Sequence, residues 1–139
     1  MPKILLVDDD PDILETLRYT FEHEGYQVAA VTDGLEALDA ARKEAPDVAL
    51  LDVMLPGANG YEVSRYLKQD MRAGLLPPFR IVMLTARRVS SSSRLDFLHT
   101  WSSADATVWK PFDLARLLDE VRRQVQLQPR SVAAPGDGR

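Results

Sequence analysis

Four short apolar segments, each followed directly by a polar residue, stand out along the chain. They cover residues 4–7, 48–51, 81–84 and 106–109, and the polar residues that follow them are Asp8 and Asp9, Asp52, Thr85 and Lys110. Unbroken apolar runs separated by stretches long enough for a helix predict parallel strands that are buried on both faces. Residues 26–31 form a fifth, shorter run, which we expect to be a strand nearer the edge of the sheet.

The segments between these runs show helical periodicity and plausible helix ends. Asp10 and Pro11 suit the start of the first helix, Gly25 its end, and Asp113 the start of the last helix. A fourth helix around residues 95–101 has a poor start, because a run of serines precedes it. The apolar positions expected to face the core are Ile13, Leu14, Leu17 and Phe21 in the first helix, Leu35, Leu38 and Ala41 in the second, Val63, Tyr66 and Leu67 in the third, and Leu114, Leu117, Leu118, Val121 and Val125 in the last.

This alternation of strands and helices predicts an α/β fold with a doubly wound parallel sheet. Crossover connections in such sheets are almost always right-handed, which leaves few possible topologies. Ligands bind outside the carboxyl ends of the strands, near a switch point of the strand order. We therefore expect three carboxylates, a hydroxyl and an ammonium to meet at one edge of the sheet.

Composition narrows the class of protein further. A chain of 139 residues with 45% hydrophobic residues is most simply one domain with one ordinary core. The absence of cysteine excludes a disulfide framework and a thiolate metal site, and the net charge of -4 argues against a nucleic-acid-binding surface. No run is long enough for a signal peptide or a membrane span. We expect a cytoplasmic domain over residues 1–127 and a disordered tail or linker stub over residues 128–139.

The strand-end residues together indicate phosphoryl chemistry. Two carboxylates about 4 Å apart repel each other by about 4 kcal/mol at a surface-like dielectric, so Asp8, Asp9 and Asp52 call for a divalent cation such as Mg²⁺. Lys110 can bind a phosphate oxygen, Thr85 can donate a hydrogen bond to another, and an aspartate can accept a phosphoryl group. Each residue alone has an ordinary explanation as a turn residue, a cap or a solvated charge, and only their joint occurrence points to an aspartyl phosphate.

Four motifs, taken in their order along the chain, are similar to those of one family. They read Leu6-Val7-Asp8-Asp9-Asp10, Leu51-Asp52-Val53-Met54-Leu55-Pro56-Gly57, Met83-Leu84-Thr85-Ala86 and Lys110-Pro111-Phe112. The chain resembles, over about residues 2–127, a response-regulator receiver domain, the phosphoacceptor module of bacterial two-component signalling. The resemblance implies a flavodoxin-like sheet of five parallel strands in the order 2-1-3-4-5, and a cis peptide bond between Lys110 and Pro111.

The resemblance also implies a role for each strand-end residue. The implied roles are holding a metal-bound water for Asp8, direct Mg²⁺ ligation for Asp9, phosphoryl acceptance and metal ligation for Asp52, metal ligation by the backbone carbonyl of Met54, the switch hydroxyl for Thr85 and phosphate binding for Lys110. A phosphoacceptor of this kind is not an enzyme with an external substrate. Its chemistry is limited to phosphotransfer onto itself and autodephosphorylation.

The sequence departs from the family pattern near the last strand. The family usually has a tyrosine or phenylalanine three residues before the lysine, and this chain has Thr107 there. The inward swing of a ring at that position therefore cannot be the readout. Either a nearby group such as Trp109 substitutes for the ring, or the output is unconventional. Ser103-Ala104-Asp105 stands where the family usually has Gly-Ala-Asp, and residues 71–79 form a slightly long connector.

We expect a phosphorylation-controlled signalling switch. A sensor histidine kinase or a phosphotransfer protein would load Asp52, and Thr85 and Lys110 would relay the change to the face of the fourth helix, fifth strand and fifth helix. The output would be a further domain of a longer protein or a separate partner, and a homodimer could form on phosphorylation. No direct nucleic-acid binding by this chain and no membrane contact are expected. Two alternatives stay open: a degenerate receiver used only for docking, and a metal-dependent aspartyl-phosphate phosphatase, against which Met54 argues because it cannot transfer protons.

Overall fold

The computed structural model describes residues 1–55, 57–86, 97–98 and 100–127. Strands and helices alternate in the order β1 Lys3–Val7, α1 Pro11–His23, β2 Gln27–Val31, α2 Gly34–Glu44, β3 Val48–Asp52, α3 Gly60–Arg72, β4 Arg80–Ala86, β5 Ala106–Lys110 and α4 Leu114–Leu127. Helix α4 corresponds to the fifth predicted helix. The fourth predicted helix lies largely outside the described residues, among which residues 97–98 and 100–102 are helical. The predicted tail over residues 128–139 also lies outside them.

The strands form one parallel sheet in the order β2-β1-β3-β4-β5, which confirms the order implied by the resemblance. All of β3 is buried, because apolar side chains cover both faces of the sheet. On one face, Leu5 and Leu51 pack with the apolar residues of α2 and α3. On the other face, Ile4 and Leu50 pack with those of α1 and α4. The sheet is therefore doubly wound, as the sequence predicts.

The helices begin where the predicted capping residues stand. The Asp10 carboxylate accepts a hydrogen bond from the backbone N–H of Asp12 at 2.9 Å, and Pro11 occupies the first turn of α1. The Asp113 carboxylate accepts in the same way from the N–H of Arg116 at 2.8 Å. Gly25 follows α1 with a φ of +96°, a left-handed conformation that glycine adopts without strain. Because α1 starts at Pro11, the chain turns back immediately after β1 and leaves the first acidic residues at the edge of the sheet.

Several expected core positions proved wrong. Leu35 is 60% exposed and Tyr66 is 47% exposed, whereas Ala37 and Ala41 are fully buried. Leu114, at the start of α4, is 38% exposed. The buried residues of α2 are all small, and an apolar pattern alone does not distinguish such positions from ones that carry leucine. Helix α3 also extends to Arg72 and takes up the start of the predicted connector. Within the part of the chain that the structure describes, none of the helices combines the length and apolar character needed to cross a bilayer.

Candidate functional site

The carboxyl ends of four neighbouring strands bring the predicted site residues to one edge of the sheet. Asp8 and Asp9 follow β1, Asp52 ends β3, Thr85 lies near the end of β4 and Lys110 ends β5. Asp8, Asp52 and Thr85 are only 2%, 6% and 7% exposed, while Asp9 is exposed. The strand ends thus form a group of polar side chains that is mostly withdrawn from water, with one carboxylate facing solvent.

Asp8, Asp9 and Asp52 form an acidic cluster at this edge. Each contributes one carboxylate oxygen, and these oxygens all lie within 4.8 Å of one another. Like charges at this separation repel each other by several kcal/mol where water is partly excluded, roughly 3–4 kcal/mol per pair. Such a cluster requires a positive charge close by or a raised pKa in one of its carboxyl groups.

Lys110 supplies such a charge from the other side of the site. Its Nζ donates a hydrogen bond to Asp52 Oδ1 at 3.2 Å and lies 3.7 Å from Asp8 Oδ2. The lysine side chain is 25% exposed, so solvent screens the ion pairs only in part. The peptide bond between Lys110 and Pro111 is cis, as the resemblance implies. The structure therefore brings the predicted acids and the predicted cation into direct contact.

Asp8 is the least satisfied group of the acidic cluster. Its Oδ1 accepts a hydrogen bond from the backbone N–H of Asp10 at 2.9 Å, whereas Oδ2 is buried and has no hydrogen-bond partner among the described residues. Burial raises the pKa of Asp8 above its ordinary value of 3.8, and repulsion by Asp52 and Asp9 adds to this rise. The hydrogen bond from Asp10 and the charge of Lys110 oppose it. An ionised carboxylate is thus held where the protein alone does not stabilise it fully.

Asp8 gives the free energy of unfolding a pH dependence whose sign follows from this pKa. The pKa of Asp8 is raised in the folded chain, so the native state still binds a proton at a pH where the unfolded state has lost it. The ionised carboxylate therefore destabilises the fold as pH rises through the raised pKa. Without metal, Asp8→Asn should be more stable than the parent at about pH 7. We expect this advantage to shrink as pH falls toward 3.8, the ordinary value. Urea unfolding at several pH values in the presence of a chelator measures it, and a difference that stays constant with pH would contradict the assignment.

The acidic cluster has the donor set of a site for a hard divalent cation. Its ligand atoms are carboxylate oxygens, and Asp8 offers one that lacks any hydrogen-bond partner among the described residues. Mg²⁺ prefers oxygen ligands, takes few protein carboxylates and retains several waters. The exposed position of Asp9 leaves room for such waters. These residues fit Mg²⁺, in agreement with the predicted cofactor.

Thr85 and Met54 lie near the carboxyl ends of β4 and β3. In the β3–β4 register Asp52 pairs with Leu84, so the Thr85 hydroxyl lies one residue beyond Asp52 on the neighbouring strand. Thr85 itself pairs with Trp109 of β5. Met54 follows Asp52 by two residues, and its side chain is 64% exposed. The metal-binding role of its backbone carbonyl stays a prediction.

Gly60 positions the site and was not predicted from the sequence. The N–H of Gly60 donates to the carbonyl of Val53 at 2.9 Å. A Cβ at position 60 would clash with the carbonyl oxygen of Asp52 and lie 2.9 Å from Val53 Cα. Asn59 and Glu62 form a capping box, so the helix start does not itself require glycine. In the sequence, the signal for this close contact is a glycine that directly follows the strong helix cap Asn59.

The chain belongs to the response regulator receiver domain family. The family model described as "Response regulator receiver domain" matches residues 4–122, and these residues include every strand of the sheet except the first residue of β1. The predicted family and the predicted fold class are both confirmed. The chain is thus the receiver domain of a two-component response regulator.

Relatives and solved structures agree with this membership. Over 139 residues the chain is 40% identical to the DNA-binding response regulator MtrA of Mycolicibacterium smegmatis. The alignment covers 97% of this chain and 57% of that relative. It matches the signal receiver domain of a signal transduction histidine kinase from Syntrophus aciditrophicus with a TM-score of 0.81 and 28% identity, covering 97% of this chain and 98% of that one. It also matches the BeF₃-activated N-terminal receiver domain of Klebsiella pneumoniae RstA, with a TM-score of 0.76, 27% identity and coverage of 89% and 98%. The chain spans little more than half the length of the curated relative.

Proposed function

We propose that this receiver domain is a switch whose Asp52 accepts a phosphoryl group from the phosphohistidine of a sensor histidine kinase or a phosphotransfer protein. The observation that supports this proposal best is the position of the Lys110 ammonium, 3.2 Å from Asp52 Oδ1 and beside the acidic cluster. An ammonium fixed at this point can bind an oxygen of the incoming phosphoryl group through a charge-assisted hydrogen bond.

The transfer itself requires little covalent chemistry from the protein. An oxygen of the Asp52 carboxylate forms a bond to phosphorus, while the P–N bond of the phosphohistidine breaks and its electron pair stays on the imidazole nitrogen. Lys110 holds the acceptor carboxylate in place before transfer and binds a phosphoryl oxygen afterwards. The Thr85 hydroxyl donates a hydrogen bond to another oxygen. Catalysis is therefore a matter of position and charge, and no turnover of an external substrate is expected.

We propose Asp9, Asp52 and the backbone carbonyl of Met54 as ligands of Mg²⁺, with Asp8 holding a metal-bound water. A bound Mg²⁺ would supply positive charge that stabilises the phosphoryl oxygens during transfer. The burial of Asp8 Oδ2, which has no hydrogen-bond partner among the described residues, supports this role. This oxygen can accept a hydrogen bond from such a water.

The relatives support a proposal for the output of the switch. The matched MtrA is named a DNA-binding response regulator, and this chain covers 57% of its length. We propose that loading of Asp52 changes the face that includes β5 and α4, and that this face controls DNA binding by a segment or protein outside the described residues. Direct nucleic-acid binding by the receiver fold is not expected. Homodimer formation on phosphorylation and a cytoplasmic location stay predictions.

Phosphoryl uptake tests the proposed function. Incubation of the parent chain with acetyl phosphate and Mg²⁺ is expected to give a phosphorylated protein that intact-mass spectrometry detects, and BeF₃⁻ with Mg²⁺ is expected to bind saturably. Asp52→Asn should take up no phosphoryl group, because the amide cannot act as the acceptor.

Asp39→Asn is the matched control for this experiment, since Asp39 lies on α2 with its side chain 87% exposed. This variant should be phosphorylated as the parent is. Uptake of equal extent by Asp52→Asn and the parent would reject Asp52 as the acceptor, and failure of the parent to bind BeF₃⁻ would favour a receiver used only for docking.

A further inference from the structure

Helix α3 presents a row of polar side chains to the segment that leads into β5. The contacts join Ser64 to Ser102, Arg65 to Trp101, Lys68 to Asp105 and Arg72 to Ser103. Residues 64, 68 and 72 are four positions apart and therefore lie on one side of the helix. We call this set of contacts between α3 and residues 101–105 the α3 clasp.

Two contacts of the α3 clasp hold the end of the helical stretch at residues 100–102. Ser64 Oγ donates to the Ser102 carbonyl at 2.9 Å, and both serines are fully buried. Arg65 Nη1 donates to the Trp101 carbonyl at 2.8 Å, and its guanidinium carbon lies 4.7 Å from the centroid of the Trp101 ring. Carbonyls at a helix end lack partners within the helix, and a cation is favourable there. Arg65 therefore holds Trp101 in two ways, at its backbone and at its ring.

The next contact of the α3 clasp fixes the start of β5. Lys68 Nζ lies 2.7 Å from Asp105 Oδ2, and each of the two side chains is 15% exposed. The same oxygen accepts a hydrogen bond from the N–H of Ile81 at 2.7 Å, and Arg80 lies 3.7 Å from the other carboxylate oxygen. Asp105 thus ties α3 to the first residues of both β4 and β5.

The other end of α3 is anchored to the phosphoacceptor. Gly60, the first residue of the helix, hydrogen-bonds to Val53 and packs against the carbonyl of Asp52. Strand β5 leads in turn from the α3 clasp to Lys110, which hydrogen-bonds to Asp52. The helix and the strand therefore connect Asp52 to residues 101–105 by two routes that form a closed loop of contacts.

We infer that the α3 clasp is a latch on the unphosphorylated arrangement and that Arg65 is the positioning residue that holds it closed. The inference rests on the proposed function. The chain has Thr107 where the family usually has a ring, so the inward swing of a ring at that position cannot couple the site to the segment before β5. The α3 clasp connects the two, and Arg65, which is only half-buried, can leave Trp101 without becoming a buried unpaired charge.

Thermodynamic linkage fixes the direction of the effect. In the structure the α3 clasp is closed while Lys110 hydrogen-bonds directly to an oxygen of the Asp52 carboxylate. If phosphorylation of Asp52 or binding of a phosphoryl mimic opens the α3 clasp, the cost of opening it reduces the observed binding free energy. A variant in which it is already loose must then bind the phosphoryl mimic more tightly.

Titration of BeF₃⁻ at saturating Mg²⁺, measured by calorimetry, tests the latch. Arg65→Met should raise the affinity for BeF₃⁻ by about fivefold to tenfold, the lower part of the usual range for coupled sites. Removal of a positive charge by itself would weaken the binding of an anion, so a gain in affinity cannot come from charge alone. Arg65→Lys, which keeps the charge and loses the planar contact with the ring, should give a smaller gain.

Arg123→Met on α4 is the matched control, because Arg123 is exposed and pairs with Glu120 on its own helix. It removes the same charge and should not raise the affinity. Equal or weaker binding by Arg65→Met, or an equal gain in Arg123→Met, overturns the latch while leaving the proposed function in place. If Arg65→Met fails to fold, the gain or its absence in Arg65→Lys decides. A parent chain that binds no BeF₃⁻ overturns both proposals together.

Discussion

Replacement of Lys110 by methionine is expected to change the binding of cation and anion in opposite directions. The ammonium lies 3.2 Å from Asp52 and 3.7 Å from Asp8, where it offsets the same negative charge that a metal ion would offset. Without it, the affinity for Mg²⁺ should rise by roughly threefold to tenfold at low ionic strength. The affinity for BeF₃⁻ should fall by roughly 30-fold or more, since truncating one partner of a buried charged hydrogen bond costs at least about 2 kcal/mol.

The Lys110 prediction is measured by two calorimetric titrations, one with Mg²⁺ alone and one with BeF₃⁻ at saturating Mg²⁺. Lys43→Met serves as the control, because Lys43 lies exposed on α2 and its loss changes net charge equally. A rise or a fall of both affinities in Lys110→Met would contradict the prediction, and the same opposite changes in Lys43→Met would show that Lys110 acts only through net charge. The contact geometry would then have no part in ligand binding.

Replacement of Gly60 by alanine is expected to destabilise the fold strongly, although it adds only one methyl group. The new Cβ would meet the carbonyl oxygen of Asp52 and would lie 2.9 Å from Val53 Cα. These are backbone atoms at the end of a buried strand, which cannot move aside as a flexible side chain can. Overpacking of this kind costs about 3 kcal/mol or more where the surroundings are rigid. The free energy of unfolding in urea should fall by about that amount.

Gly25→Ala separates lack of space from backbone strain. Gly25 has a positive φ, but nothing lies within 4 Å of the position of its Cβ, so alanine there should cost only the strain of a left-handed residue, about 1–2 kcal/mol. A loss of stability in Gly60→Ala no greater than that in Gly25→Ala would mean that β3 and α3 separate easily. In that case α3 could not transmit a change at Asp52.

The site holds like charges close together, which lowers the free energy of unfolding. Asp8 is buried with one oxygen that has no hydrogen-bond partner in the described part of the chain, and its pKa is raised mainly by that burial. An unsatisfied buried group of this kind costs about 1–3 kcal/mol. Binding sites commonly depart from the arrangement that would be most stable, because ligand binding needs groups the fold alone leaves unsatisfied.

The strand pattern was predictable because each central strand is buried on both faces. Segments such as residues 48–51 have no polar position to accommodate, so their sequence is a continuous apolar run. Strand ends were equally visible, since a charged residue cannot continue into a two-sided core. From these runs and the rule that ligands bind at carboxyl strand ends, the meeting of Asp8, Asp52 and Lys110 could be expected before any coordinates.

Helix faces were less predictable. Leu35 is exposed although its apolar character suggested the core, and the neighbouring Ala37 is buried in its place. The distance between a helix and the sheet decides whether a small or a large residue faces inward. That distance depends on packing of the whole layer, which the local pattern does not contain.

The order of the described strands and helices, the family and the residue types that meet at the sheet edge can be predicted from the chain alone, because burial and strand termination act locally along it. Three features come from the packed fold: Asp8 has a buried oxygen without a hydrogen-bond partner among the described residues, Gly60 packs against Asp52, and Arg65 contacts Trp101. Each of these features joins segments that are remote in sequence or depends on how much water reaches an atom. They arise from the mutual packing of elements, a property that no stretch of sequence possesses alone.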